Sequence, residues 1–171
     1  MFSETASRTW TEETIRSVMI SQHIREILEK HGLTALEFEP GSTPTSEMAA
    51  AQIGVQVAQI AKSILLAGKD GAFRMAVLPG DKKLAAGKFK KATGIKHRMA
   101  SAEETQEQTG LRIGGVCPFG INGIEVYIDQ RLNTYERIYP AAGNDASGVP
   151  MHMHDLVQIT KGQVCDIAQD E

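Results

Sequence analysis

The chain has only two cysteines, Cys117 and Cys165, in 171 residues. Two thiols 48 positions apart make neither a disulfide framework nor a zinc-ligand spacing. Aromatic residues make up 5% and there is one tryptophan, so aliphatic side chains must supply the core. No apolar run is long enough to cross a bilayer. The start, Met-Phe-Ser-Glu-Thr-Ala-Ser-Arg, lacks the basic segment and apolar stretch of a secretory signal. There is no repeat, low-complexity tract or linker. These absences exclude collagen-like, solenoid, disulfide-rich and membrane-spanning classes. We expect a cytoplasmic protein with reduced thiols, without membrane partner, metal or cofactor.

Acidic charge is missing from one stretch. Residues 82–98, KKLAAGKFKKATGIKHR, hold 7 of the 18 basic residues and no carboxylate. The remaining 11 basic residues stand against 21 acidic ones, so a basic island sits on an acidic body. That is the footprint of a polyanion-binding surface, or else of a solvated helix face.

The apolar spacing of Ile15, Val18, Met19, Ile24, Ile27 and Leu28 predicts a helix over 11–31, capped by Thr11 and stopped by Gly32. Leu36 to Glu39 alternates as a strand. Thr45 or Ser46 caps a short helix to Ile53. Residues 60–67 and 73–78, with Gly68-Lys69-Asp70-Gly71 between, predict a hairpin. Asp81 is expected to cap a basic helix over 82–92. Ser101 and Glu104 form a capping box for a helix to about Gln108. Strands are expected over 125–128, 136–139 and 149–153, and the spacing of His152 and His154 would put both on one strand face. Helices and strands mix without regular βαβ alternation. The fold class is therefore α+β with a mixed sheet, and the length suits one domain over 1–171 with a flexible 1–10.

Several residues invite chemistry. In Gly114-Gly115-Val116-Cys117-Pro118-Phe119-Gly120, paired glycines leave amides free to aim at one oxygen, and Pro118 stiffens the turn. Local sequence alone favours a plainer reading of the same loop, a tight helix-to-strand connection. Lys62 lies inside an apolar strand, either reaching water along its stem or meeting a phosphate or carboxylate in a cleft. Asp129 ends an apolar strand, as a functional carboxylate or as a cap. Cys117 lacks a Cys/His signature for a nucleophile and reads as structural.

Taken in order, Ile60-Ala-Lys-Ser-Ile-Leu-Leu, Leu78-Pro-Gly-Asp, Met99-Ala-Ser-Ala-Glu-Glu-Thr, Thr109-Gly-Leu-Arg-Ile-Gly-Gly-Val-Cys-Pro-Phe-Gly-Ile and Val126-Tyr-Ile-Asp resemble the YbaK/ProX family of aminoacyl-tRNA editing domains. The likeness runs over roughly residues 15–165. It implies a curved, barrel-like mixed sheet with surrounding helices. It also implies hydrolysis of the ester joining a wrong, small amino acid to the terminal adenosine of a tRNA, tRNA-Pro foremost.

By resemblance, Lys62, Gly114 and Gly115 are catalytic, and Ser63, Pro118, Asp129 and Gly143 bind substrate. Lys82, Lys83, Lys88, Lys90 and Lys91 would contact RNA. Pocket side chains are expected from 38–48 and 141–152. Partners would be aminoacyl-tRNA and prolyl-tRNA synthetase, and no DNA. Ser63 and Cys117 stand where many members have Thr and Ser. The alternatives are a non-catalytic tRNA- or synthetase-binding module of the same fold, and a thiol hydrolase acting through Cys117.

Overall fold

The computed structural model describes Thr11 and residues 19–170. In chain order the elements are α1 (Gln22–Lys30), β1 (Leu36–Glu37), α2 (Ser46–Ile53), β2 (Ile60–Gly68), β3 (Phe73–Pro79), α3 (Ala86–Thr93), β4 (His97–Met99), α4 (Ala102–Thr109), β5 (Glu125–Asp129), β6 (Tyr139–Pro140), β7 (Ser147–Gly148), α5 (Met153–Thr160) and β8 (Gln163–Cys165). Short 3₁₀ turns cover Val57–Gln59 and Gln130–Thr134. The class is α+β with a mixed sheet, as expected.

β2 and β3 form the expected antiparallel hairpin, with Lys62 opposite Leu78 and Ser63 opposite Val77. β4 adds antiparallel to the far end of β2, and β6 adds parallel to its start. β5 joins β3 in parallel, and β8 joins β5 in parallel. The main order β4-β2-β3-β5-β8 is an open path. No pairing among the described strands closes it, so the barrel-like closure expected from the resemblance is not part of this ladder. β1 and β7 make a separate two-stranded ribbon.

Strand alternation divides the core between the two faces. Met75 and Val77 pack with Ile24, Leu28, Ile128 and Leu156. Ala76 and Leu78 pack with Leu66, Phe89, Tyr127 and Ile167 on the other side. Phe89 is fully buried and meets Tyr127 edge-on with centroids 5.4 Å apart. Burying one such ring contributes about 1.5–3 kcal/mol.

The local signals explain most helix ends. Thr45 Oγ1 accepts the amide of Met48 at the start of α2. Ser101 and Glu104 form the capping box of α4, and Gly110 ends it in the left-handed region. Three expectations need correction. The described part of the first helix starts at Gln22, with Ser21 as its cap, and the expected start at Thr11 runs into residues 12–18, outside the described residues. The basic helix starts at Ala86 rather than at Asp81. Residues 83–85 instead run extended against the C-terminal tail, with a bridge between Leu84 and Ala168 and the Ala85 amide donating to the Ile167 carbonyl at 2.8 Å. Finally, His152 and His154 do not share a strand face. His152 is the cap position of α5 and His154 lies within it. No His, Cys or carboxylate cluster among the described residues suits a metal.

Candidate active site

The start of β2, the first turn of α2, the 113–116 loop and the segment from Tyr139 to Ser147 enclose an open cleft of about 360 Å³. The β2/β3 pairing fixes Lys62 and Ser63 on its wall. The loop 141–147 is held from behind: Ser147 Oγ accepts the Ala142 amide at 3.0 Å, and the Ser147 amide donates to Thr43 Oγ1 at 3.2 Å. This joins the wall to the segment preceding α2.

Lys62 is half-buried, and its ammonium donates to the Gly80 carbonyl at a long 3.4 Å. Burial lowers its pKa below the usual lysine value, while the charges of Glu47 and Asp81 push the other way. It is thus a cation with weak internal partners, facing a cavity. Glu47 lines the same cleft and is exposed. Ser63 Oγ is shut off from solvent without a hydrogen-bond partner, the one such side-chain atom found among the described residues. An orphaned buried hydroxyl costs free energy unless a ligand or water meets it.

Gly114 lines the cleft at φ 97°, a conformation that disfavours other residues. Its amide and that of Val116 have no acceptor among the described residues. Gly115 differs. Its amide donates to the Arg112 carbonyl at 3.0 Å, so it is consumed in a turn. Two successive glycine amides therefore do not converge on one oxygen; the cleft-lining Gly114 and Val116 are left with amides unpaired among the described residues. The glycine at 115 serves a close approach instead: a Cβ there would stand 2.7 Å from the Cα of Asn144.

Three expected substrate residues do not line this cleft. Pro118 is buried beside a smaller hollow lined by Ile27, Lys30 and His31. Gly143, at φ 93°, backs onto Ile24, Leu111 and Cys117. Asp129 is fully buried and ties down the chain terminus. Its Oδ1 accepts the amides of Ile167 and Ala168 at 2.9 Å each, and its Oδ2 accepts the Arg131 amide at 3.0 Å. It is a cap and a tail anchor. The partners that decide this lie 38 and 39 residues away in sequence, beyond the reach of a local motif.

Cys117 is fully buried and its Sγ contacts the Phe119 carbonyl at 3.6 Å. Burial pushes its pKa up to about 12, the reverse of a nucleophilic thiol. The thiol-hydrolase reading has no geometry here. The basic island is partly neutralised. Lys88 pairs with Asp166 and Asp170 at 3.0 Å each, and Lys82 donates to the Asp170 carbonyl at 3.3 Å. Lys83, Lys90 and Lys91 remain exposed, with no ion pair among the described residues.

The cleft draws on 43–49 and 139–147, close to the segments expected from the sequence. What sequence reasoning missed, outside those segments, is Met99 and Ile113. Neither carried a local signal, because Ile113 is one of several apolar residues in its loop, beside Leu111, Val116 and Phe119.

This fold and cleft belong to a known class. The chain is a member of the aminoacyl-tRNA editing domain family, whose model matches residues 40–159, and is of the YbaK/ProX type. It is 38% identical over 136 residues to YwhH of Bacillus subtilis, a protein of uncharacterised function, covering 78% of this chain and 86% of that one. It is 25% identical over 150 residues to EbsC of Enterococcus faecalis, provisionally named a Cys-tRNA(Pro)/Cys-tRNA(Cys) deacylase, covering 85% and 92%. A crystal structure of a protein provisionally described as a trans-editing enzyme for prolyl tRNA synthetase superposes with a TM-score of 0.79 at 32% identity, covering 88% of this chain and 99% of that one.

Proposed function

We infer that the protein is an aminoacyl-tRNA deacylase that removes a small, wrongly attached amino acid, with tRNA-Pro as the carrier. One observation carries this reading. The cleft brings a half-buried, weakly partnered Lys62 together with the unpaired amides of Gly114 and Val116. An aminoacyl ester needs such an arrangement: donors for the carbonyl oxygen as it gains negative charge, and a cation for the phosphate or ribose end.

Water attacks the carbonyl carbon, the bond from that carbon to the ribose oxygen breaks, and the proton passes to the ribose oxygen. A free amino acid and an intact tRNA terminus leave. Gly114 and Val116 hold the developing oxyanion, Lys62 anchors the terminal nucleotide, and Ser63 meets a polar group of the substrate. No side-chain nucleophile takes part. Ligand clefts run from about 300 Å³ upward, so this one is at the small end and suits a short acyl side chain. A size-limited second site of this kind corrects what a synthetase pocket discriminates weakly.

The test is hydrolysis of Ala-, Cys-, Ser- and Thr-tRNA, on tRNA-Pro and on the cognate tRNAs, by wild type and Lys62→Ala side by side. Wild type should release at least one amino acid, and the variant should be slower by about 100-fold or more. Folded wild-type protein that releases none would overturn the reading in favour of a binding module.

A further inference from the structure

Two side chains stand apart in their exposure. Met99, at the end of β4, and Ile113, before the glycine pair, are each 65% exposed, the highest among the large apolar residues described. Both line the mouth of the same cleft. Isolated exposed apolar residues need no explanation, but two at the rim of one cavity mark a contact surface. The lining deeper in the cleft differs. Ala61 and Leu65 are buried, and Ala141 and Val116 are half-buried.

We propose that Met99 and Ile113 form a nucleobase subsite, gripping the purine of the substrate's 3′-terminal nucleotide at the cleft mouth. The proposal rests on the deacylase reading, and its experiment is chosen to separate the two. Chain connectivity supports the assignment. Ile113 precedes Gly114, whose amide is an open donor of the proposed carbonyl site. The group joined to the ester through its alcohol oxygen is the ribose, and the base comes next. With the acyl chain inside, the base falls at the mouth.

Met99 is also fixed to the site. Met99 pairs with Leu66 on β2, the strand that carries Lys62 and Ser63, and the Ala100 amide donates to the Leu65 carbonyl at 3.0 Å. A purine has apolar faces and a polar edge. The flexible Met99 and the branched Ile113 cover the faces and leave the edge in water, so the grip needs no matching hydrogen bonds.

The experiment compares two synthetic esters, 3′-alanyl-adenosine and alanine methyl ester, on wild type, Met99→Ala, Ile113→Ala and the double variant. Both positions are exposed, so the variants should fold, and circular dichroism checks this. Wild type should prefer the adenosine ester, and the double variant should lose that preference by about 10-fold, through a raised KM. Methionine methyl NMR supplies a readout independent of hydrolysis. Adenosine 5′-monophosphate should shift the Met99 methyl, and ribose 5-phosphate should not.

An undiminished adenosine preference in the double variant, with no Met99 shift, overturns the subsite and leaves the deacylase reading intact. Absent hydrolysis with the Met99 shift present overturns the deacylase reading and keeps the subsite. If the double variant instead loses only binding to prolyl-tRNA synthetase, the rim is a protein surface and the proposal fails.

Discussion

Gly115 lies so close to Asn144 that a Cβ would stand 2.7 Å from the Asn144 Cα and 2.8 Å from its carbonyl carbon. Two backbones meet there, so neither can yield as a side chain would. Gly115→Ala should push the 113–116 loop away from the 141–147 loop and destabilise the fold by about 1–3 kcal/mol. Chemical denaturation measures that loss. Deacylation should fall further than the folded fraction, because the displaced loop carries the Gly114 and Val116 amides. An alanine variant with wild-type stability would show that the contact is looser than described.

Asp129 makes a different prediction from the one its position in the motif suggests. It holds the tail amides of Ile167 and Ala168, and its Oδ1 lies 3.1 Å from Arg131 Nη1, all outside the cleft. Asp129→Ala strands buried donors and should cost about 3 kcal/mol. Activity per folded molecule should remain near wild type when assayed well below the melting temperature. A stable but inactive variant would return Asp129 to the substrate site.

These two residues show what was legible in the chain and what was not. Thr45, Ser101 with Glu104, and the turn after Gly68 act within four residues, and the structure uses each as the sequence reading expected. Lys62 was visible because a lysine in an apolar strand demands a reason. Asp129 was ambiguous because a cap and a catalytic carboxylate look alike until the distant partner is placed. Asp81 misled for the same reason. It is a good cap by type, but pairing with the tail keeps residues 83–85 extended, and that pairing is not local. Gly115 and Gly114 are adjacent and identical, yet only the turn geometry separates a packing glycine from an open donor.

The basic face should act through only part of its charge. Lys88 is held by Asp166 and Asp170, whereas Lys83, Lys90 and Lys91 are exposed. Charge reversal at Lys90 and Lys91 should weaken tRNA binding and flatten its salt dependence by about one log-log unit per contact removed. Lys88→Ala should loosen the tail and leave the salt slope nearly unchanged. Binding isotherms across a salt series check both. An equal effect at all three positions would mean that tRNA displaces the tail.

Cys117 should be inert in the folded protein. Burial pushes its thiol pKa up to about 12, and that of the half-buried Cys165 up to about 11. Iodoacetamide at neutral pH should label neither quickly, and Cys117 only after unfolding. Cys117→Ser should keep its deacylase activity. Mass spectrometry after timed alkylation reads the labelling, and loss of activity on serine substitution would restore the thiol to the mechanism.

Lys62 should trade stability for function. Its folded pKa is lowered, chiefly by burial, so the folded state holds this proton less tightly than the unfolded chain does. Between the folded and unfolded values the unfolded state binds more protons, so this group's contribution to stability rises with pH there. Below that window the charged lysine is a fixed cost of folding. Lys62→Met keeps the stem and removes the charge. It should raise the melting temperature at neutral pH while abolishing hydrolysis, and it should lose the alkaline rise in stability seen in wild type. Wild-type activity, if carried by the ammonium, should decline on the alkaline side before an ordinary lysine would titrate. Melting curves and rates across the alkaline range test both halves. A methionine variant that is less stable than wild type would mean that the contact with Gly80 and the field of Glu47 and Asp81 outweigh the burial of the charge.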